Sequence, residues 1–342
     1  MVVVLLILIV LFLMSMSVFR DNSNYALSVE QTQSIKGFFV VTIFFSHFCS
    51  YVVFEKWYDV FLLQYCHWLG QLMVLPFLFY SGYGIFESVK KKGISYIKEF
   101  PKKRILKILL HFDLAVLLFL LYDVFFMPEN LSVIKVLLSL IAWDSIGNSN
   151  WFIFAIICVY LFGYVSLLIF KGDLFKSLIL IGLLCFLYVV VVSRFKPGYW
   201  FDTVLSFPLG CFVSLYKDKI NVRNHLAWGF FFALSLIVLI GMKKGIISNF
   251  YINSQLAMAS MVVLILLISM RIRVKSKILS WFGGQVFGIY ILQRLSMNFG
   301  KYMHWNETNI YLYFVFCFFA TLLLAYAFNK VLAKFDSYFF QS

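Results

Sequence analysis

The 342-residue chain is 63% hydrophobic and 20% aromatic, and only 13% of its residues are charged. This composition excludes a soluble globular domain and predicts an all-α, polytopic membrane protein, since long apolar runs and many aromatic rings are typical of chains embedded in lipid. The net charge of +14 does not predict a nucleic-acid partner, because the lysines and arginines stand in short loops beside apolar segments. The six cysteines lack the paired short spacing that holds zinc, so we expect no metal site.

Apolar stretches recur along the whole chain and predict about eleven transmembrane helices. They cover residues 2–19, 35–54, 68–87, 105–126, 151–170, 176–193, 203–216, 226–242, 252–270, 279–299 and 309–333. The shorter stretch 131–143 is predicted to be interfacial or re-entrant, since it is too short to cross a bilayer. The first stretch and its cytoplasmic connector, residues 1–34, are predicted to precede one membrane domain at residues 35–342.

Basic residues concentrate in the loop that follows the third apolar stretch. The positive-inside rule places such a loop in the cytoplasm. Alternation along the eleven stretches then puts the amino terminus outside, the carboxyl terminus inside, and most of the other lysines and arginines on the inner side. We therefore expect a multi-pass protein of the plasma membrane, in contact with membrane lipids. The basic residues of the loop are Lys90, Lys91, Lys92, Lys98, Lys102, Lys103, Arg104 and Lys107.

The second apolar stretch, residues 35–54, carries the ionisable pair Lys36 and His47, the latter near its middle. Eleven helical steps return to within roughly 20° of the starting direction and advance roughly 16 Å, so both side chains are predicted to lie on one face of the helix. Ionisable groups inside a membrane are costly and mark functional sites. The alternatives are a packing role for His47 and a role in topology alone for Lys36 and the basic loop.

Several local patterns occur together and in order around this pair. They are Lys36-x10-His47, PFLFYSGYGIF at 76–86, Arg104-x-x-Lys107, NSNWFIF at 148–154, FPLG at 207–210 and WFGGQVFGIYILQR at 281–294. The combination resembles the membrane-embedded acyltransferase-3 family, whose members move acyl groups, usually acetyl, from cytoplasmic acyl-coenzyme A onto envelope glycans or related acceptors. The resemblance implies a ten-helix core preceded here by one additional helix. Lysine replaces the family's usual arginine at Lys36 and Lys107, and Tyr290-Ile291-Leu292-Gln293 replaces a Tyr-Leu-x-His element, so no second catalytic histidine is expected there.

The chemistry of acyl transfer assigns a role to each candidate residue. Moving an acyl group from a thioester to a hydroxyl requires a base, for which imidazole is the commonest choice, and His47 is expected to be that base or a covalent acyl carrier. Lys36 is expected to bind a phosphate or the pantetheine carbonyl of acetyl-coenzyme A at the inner mouth. Three further groups are expected at the site: Lys102, Lys103, Arg104 and Lys107 for the donor nucleotide, Ser81 and Gly82 in the wall, and Asn148, Asn150 and Trp151 for a sugar acceptor.

The sequence therefore predicts an acyltransferase that transfers groups other than aminoacyl groups. The expected reaction is O-acetylation of a cell-surface polysaccharide or its lipid-linked precursor by acetyl-coenzyme A. Two alternatives remain open: a glycan transporter or flippase without bond-making chemistry, and a non-catalytic scaffold. The acceptor and the acyl chain length are not encoded in any sequence pattern.

Overall fold

The computed structural model describes residues 1–18, 27–127, 132–220 and 224–340, and it is almost entirely helical. Two short strands, β1 (Met16–Val18) and β2 (Ile272–Val274), pair antiparallel with Met16 opposite Val274. The helices in chain order are α1 (Val2–Met14), α2 (Val29–Cys49), α3 (Val60–Leu69), α4 (Leu75–Lys92), α5 (Ile94–Phe100), α6 (Lys107–Phe126), α7 (Val133–Leu140), α8 (Trp151–Ile169), α9 (Leu174–Val192), α10 (Ser206–Tyr216), α11 (His225–Lys243), α12 (Phe250–Arg271), α13 (Lys277–Gly284), α14 (Val286–Tyr302), α15 (Trp305–Thr308) and α16 (Ile310–Phe339).

The helices confirm an all-α membrane protein. Within the described residues, seven helical segments are long and apolar enough to cross a membrane: Trp57–Lys92, Ile94–Phe126, Trp151–Ile169, Leu174–Val192, His225–Lys243, Phe250–Arg271 and Ile310–Phe339. Each of the eleven predicted apolar stretches contains a helix, and α7 occupies the stretch predicted to be too short to cross. The end of the first stretch and the first part of its connector, residues 19–26, lie outside the described residues.

The helix that carries His47 has different bounds from those predicted. It runs from Val29 to Cys49 rather than over 35–54, because Ser28 caps its first turn by accepting a hydrogen bond from the backbone N–H of Gln31. At the other end the Ser50 hydroxyl donates to the His47 carbonyl at 2.6 Å. The prediction of a mid-helix histidine was wrong, since His47 lies two residues before the last residue of α2.

Small residues bring the central helices into backbone contact. A Cβ added to Gly82 of α4 would lie 2.1 Å from the Phe207 carbonyl oxygen of α10, and one added to Gly210 would lie 2.0 Å from the Phe79 carbonyl oxygen. Membrane helices pack this closely only where side chains are absent. Gly37 of α2 meets α13 in the same way, with a built Cβ 1.8 Å from the Leu279 carbonyl oxygen.

The ends of several helices meet on the side of the basic loop 90–107, which we call the inner side. At the start of α6, Lys107 forms an ion pair with Asp336 near the end of α16, with 2.6 Å between Nζ and Oδ2. Just beyond α10, Lys217 forms an ion pair with Glu87 of α4, also at 2.6 Å. The α4 and α10 helices therefore both end on the inner side, and so does α16.

The opposite ends of the same helices meet on what we call the outer side. The Lys196 ammonium, in the loop after α9, donates to the Trp143 carbonyl before α8 at 2.8 Å. At the start of α16, the Tyr311 hydroxyl donates to Asp59, before α3, at 2.8 Å. If the eleven predicted stretches cross the membrane in alternating directions, the two segments joined by each of these contacts lie on the same, outer side.

Candidate functional site

Lys36 and His47 lie on different parts of α2, Lys36 toward the inner side of the molecule and His47 toward the outer side. The side chain of Lys36 packs near the first half of α4, with Nζ 5.8 Å from the centre of the Tyr80 ring. That of His47 faces α14, with its ring 6.2 Å from the ring of Tyr290. Because the two residues are separated by roughly 16 Å along one helix face, α2 links an inner group of side chains to an outer one.

The inner group is a pair of cations, and no carboxylate of the described residues forms an ion pair with either of them. Arg104 lies near enough to Lys36 for the two charges to act on each other. Among the described residues, no carboxylate lies within 4.0 Å of either side chain. Two like charges near each other favour the approach of an anion.

The position of Arg104 is fixed by an irregular turn. Residues Pro101–Leu106 form a π-helical turn between α5 and α6, and such turns recur at functional sites. Within it, Arg104 Nε donates to the Tyr96 hydroxyl at 3.2 Å, while much of the residue remains exposed. The Arg104 guanidinium is therefore held in place against Tyr96.

Ser81 belongs to the same inner group. The hydroxyl of Tyr160, on α8, donates to Ser81 Oγ at 3.3 Å, and the charge of Arg104 acts on that tyrosine. Neighbouring Gly82 instead faces α10, as its contact with Phe207 shows. The two residues predicted to line the wall thus have different surroundings.

Two of the other predicted donor-site lysines form ion pairs with carboxylates. Lys103 forms an ion pair with Glu99, one helical turn earlier, at 3.0 Å. Lys107 is bound to Asp336, whose second oxygen accepts from His111 Nε2 at 2.7 Å. Lys102 is exposed and also has an interaction of its own. Of the four basic residues, the structure brings only Arg104 next to Lys36.

The outer group surrounds the His47 ring. His47 is half-buried, and its Nδ1 is buried with no hydrogen-bond partner among the described residues. The Tyr290 hydroxyl and Arg294 Nε are buried and unpartnered in the same way, and the charge of Arg294 acts on the His47 ring. Buried polar atoms without partners are rare in native proteins and indicate a place for water or substrate.

A cavity of about 700 Å³ lies directly beyond this group on the outer side. It begins with the residues that follow His47, and Arg294 is part of its wall, although His47 itself is not. A volume of this size is typical of a small-molecule site. Its lining residues are Ser50, Tyr51, Tyr122, Asp123, Met127, Lys135, Ile146, Gly147, Arg294, Asn298, Lys301, Tyr302 and His304.

The predicted sugar-binding residues hold the loop before α8. Asn150 Nδ2 donates to the carbonyls of Ala142 and Asp144, at 3.1 and 2.8 Å. Asn148 Oδ1 accepts from the backbone N–H of Ile146 at 3.1 Å, whereas its buried Nδ2 has no partner among the described residues. Trp151 is buried at the start of α8. The amide of Asn148 thus has a buried donor that no described residue uses.

Sequence reasoning missed the stripe on α14 formed by Tyr290, Arg294 and Asn298. These residues are spaced four apart, so they share one side of the helix. Tyr290 faces His47, and Asn298 Oδ1 accepts from the Tyr51 hydroxyl at 2.7 Å. The sequence contained a signal for this stripe, because Arg294 and Asn298 are polar residues at i+4 spacing in an apolar helix. An arginine within a membrane is energetically unfavourable and marks a functional site.

The fold and the site together define a polytopic membrane protein in which a histidine lies between a cationic inner mouth and a polar outer cavity. A family model described as an acyltransferase domain, that of the acyltransferase-3 family, matches residues 33–330. The chain therefore belongs to the acyltransferase-3 family and is a membrane acyltransferase. No curated protein and no solved structure is similar enough to the chain to give a match.

Proposed function

We propose that this acyltransferase is an O-acetyltransferase that moves an acetyl group from cytoplasmic acetyl-coenzyme A to a hydroxyl of a cell-surface glycan or its lipid-linked precursor. The observation that carries the proposal is that Lys36, on the face of α2 that also holds His47, lies near Arg104 of the neighbouring π-helical turn, with no carboxylate of the described residues within 4.0 Å of either cation. Coenzyme A carries several phosphates and a long pantetheine arm. Cations at the inner mouth suit its phosphates, and the arm can extend along α2 toward the imidazole.

The transfer step is balanced in its protons and in the bonds that break and form. His47 takes the proton of the acceptor hydroxyl while the hydroxyl oxygen attacks the thioester carbonyl. The carbon–sulfur bond breaks, the acyl group stays on the oxygen as an ester, and the coenzyme A thiolate leaves and takes the proton from the imidazolium. In a two-step version the imidazole attacks the thioester carbonyl and the coenzyme A thiolate leaves; the acceptor oxygen then attacks the acyl-imidazole, its proton passes to the thiolate, and the imidazole is released in its neutral form.

The buried hydroxyls and Arg294 support either version of this reaction. A tetrahedral intermediate carries negative charge on the former carbonyl oxygen, which preorganised donors stabilise. The Tyr290 hydroxyl and Arg294 Nε are donors beside His47 that no described residue uses. The acceptor would approach from the outer cavity, near the free amide of Asn148.

The arrangement of loops supports eleven membrane crossings as part of the proposal. In a chain that crosses the membrane eleven times, each of three contacts joins two segments on the same side of the membrane. Two of these contacts are on the inner side, Lys107–Asp336 and Lys217–Glu87, and one is on the outer side, Tyr311–Asp59. Residues 1–34 would then add one helix to a membrane domain at 35–342. We place the protein in the plasma membrane, where cytoplasmic acetyl-coenzyme A and an external glycan lie on opposite sides.

The proposal is tested by replacing His47 and following the acetyl label. With radiolabelled acetyl-coenzyme A and cell-envelope glycan, His47→Gln is expected to lower acetyl transfer by at least about 100-fold, the usual contribution of a general base. His67→Gln, at an exposed position on α3, is the matched control and should transfer normally at equal expression. Undiminished transfer by His47→Gln would contradict the mechanism. A label that never leaves coenzyme A in the unaltered protein would contradict acetyl transfer itself.

A further inference from the structure

The outer cavity has an uneven distribution of charge. Three of its lining side chains are basic, Lys135, Arg294 and Lys301, whereas its only carboxylate among the described lining residues is Asp123. The remaining ionisable ring, His304, has Nδ1 3.8 Å from the carboxylate of Glu307. The cavity is therefore cationic where an acceptor would bind.

Asp123 does not neutralise the whole cavity. It is buried and interacts electrostatically with Lys135, on α7. Among the described residues, neither Arg294 nor Lys301 has a carboxylate within 4.0 Å. The Arg294 side chain interacts with the Tyr51 hydroxyl, but its buried Nε has no hydrogen-bond partner among the described residues, which is costly unless an anion or water completes the site.

A neutral sugar does not require two unpaired cations. Hydroxyl groups are bound well by amides and aromatic rings, and the cavity already has Asn298 together with Tyr51, Tyr122 and Tyr302. A guanidinium offers a planar pair of donors that matches a carboxylate or a phosphate. The charges therefore indicate a specific group on the acceptor rather than general affinity for glycans.

We propose that the acceptor, within the acyl transfer proposed above, carries a carboxylate or phosphate that is bound by Arg294 and Lys301 in the outer cavity. Arg294 lies one helical turn from Tyr290, which faces His47. An anion on Arg294 would thus hold a hydroxyl a few ångströms away, near the imidazole. Acidic sugars and phosphodiester-linked glycans share this chemistry.

Direct binding to the full-length protein in detergent tests this proposal. Three probes of similar length are compared by calorimetry: oligogalacturonate, its uncharged methyl ester, and a glycerol-phosphate oligomer. At least one acid is expected to bind about tenfold or more tightly than the ester, since hydrogen bonds to charged groups each contribute 1.5–3 kcal/mol. The preference should weaken between low salt and about 0.15 M salt, where surface charges are screened within about 8 Å. The acid that binds identifies a carboxylate or a phosphate as the recognised group.

Substitutions of residues that line the cavity test whether the preference for acidic probes arises in the cavity. Arg294→Gln and Lys301→Glu are expected to abolish the preference, and Lys301 is exposed, so its replacement should leave the fold intact. Lys244→Glu changes the same charge at an exposed position that does not line the cavity, and it should keep the preference. Equal binding of acids and ester, no binding of either acid, or an unchanged preference in Lys301→Glu would overturn the proposal.

The binding measurement is independent of catalysis. If acetyl transfer is absent but the preference for an acid is intact, the proposed function fails and the anion site stands. If transfer proceeds equally to acidic and uncharged acceptors, the anion site fails and the proposed function stands. The two conclusions can therefore be separated in one preparation.

Discussion

Two neighbouring residues of one turn, Lys103 and Arg104, have opposite surroundings. The charge of Arg104 acts on Lys36, and Arg104 has no carboxylate within 4.0 Å among the described residues, whereas Lys103 is paired with Glu99. Arg104→Ala is expected to raise the KM for acetyl-coenzyme A about tenfold or more, because it removes a charged contact with the donor. Lys103→Ala should change the KM by less than about twofold, since exposed ion pairs contribute little. Equal effects of the two substitutions would contradict the assigned donor site.

Lys36 offers a second test at the inner mouth. Lys36→Arg keeps the charge and adds a bidentate donor pair, so it should retain activity and bind acetyl-coenzyme A at least as tightly. Lys36→Met keeps the length of the side chain but removes the charge, and we expect kcat/KM for the donor to fall about tenfold or more. Steady-state kinetics at matched expression distinguish the two. Normal kinetics of Lys36→Met would show that Lys36 serves topology alone.

The sequence alone predicts that Lys36 and His47 lie on one face of α2, but it does not predict which residues of other helices lie near them. A helical period is enough to place Lys36 and His47 on one face. That Arg294 acts on His47 and that Lys107 is bound to Asp336 depends on contacts between residues distant in the chain. No local pattern encodes such contacts, so the basic run appeared as one cluster although only Arg104 joins Lys36.

Helix bounds were less predictable than the presence of helices. Hydropathy placed the start of α2 at residue 35, but the helix begins at Val29 because Ser28 caps polar residues that precede the apolar run. The capping signal, Ser28 followed three residues later by Gln31, was present in the sequence. Apolar content therefore locates the part of a helix in lipid rather than the whole helix.

The contact between α4 and α10 allows a matched test at the scale of elements. Gly82→Ala would place a Cβ 2.1 Å from the Phe207 carbonyl oxygen, so the helices must separate. We expect a loss of about 1–3 kcal/mol in the free energy of unfolding and a lower Tm in detergent, as for other overpacked cores.

Gly84→Ala is the control on the same helix, because nothing lies within 4 Å of a Cβ built there. Alanine is the better helix former by roughly 0.5–1 kcal/mol, so the Tm should be unchanged or slightly higher. A Tm for Gly82→Ala equal to that of Gly84→Ala would contradict the close approach of α4 and α10.

On the scale of the whole molecule, the predicted topology fixes which side each terminus occupies. A fluorescent-protein reporter fused after residue 342 should fold and fluoresce in the cytoplasm, since α16 ends on the inner side. A cysteine introduced at Lys244 should react with a membrane-impermeant maleimide added outside intact cells, and one introduced at Lys98 should not. Reactivity at both positions, or at Lys98 alone, would contradict the assignment of sides.

Access to His47 from both sides of the membrane is tested most directly by acetyl transfer in sealed proteoliposomes of uniform orientation. Labelled acetyl-coenzyme A is supplied on the side of loop 90–107 and glycan acceptor on the opposite side. The proposed function predicts labelled acceptor across the membrane, no product when donor and acceptor exchange sides, and at least about 100-fold less product with His47→Gln. Equal product from either arrangement, or unchanged product with His47→Gln, would contradict a transfer path through this histidine.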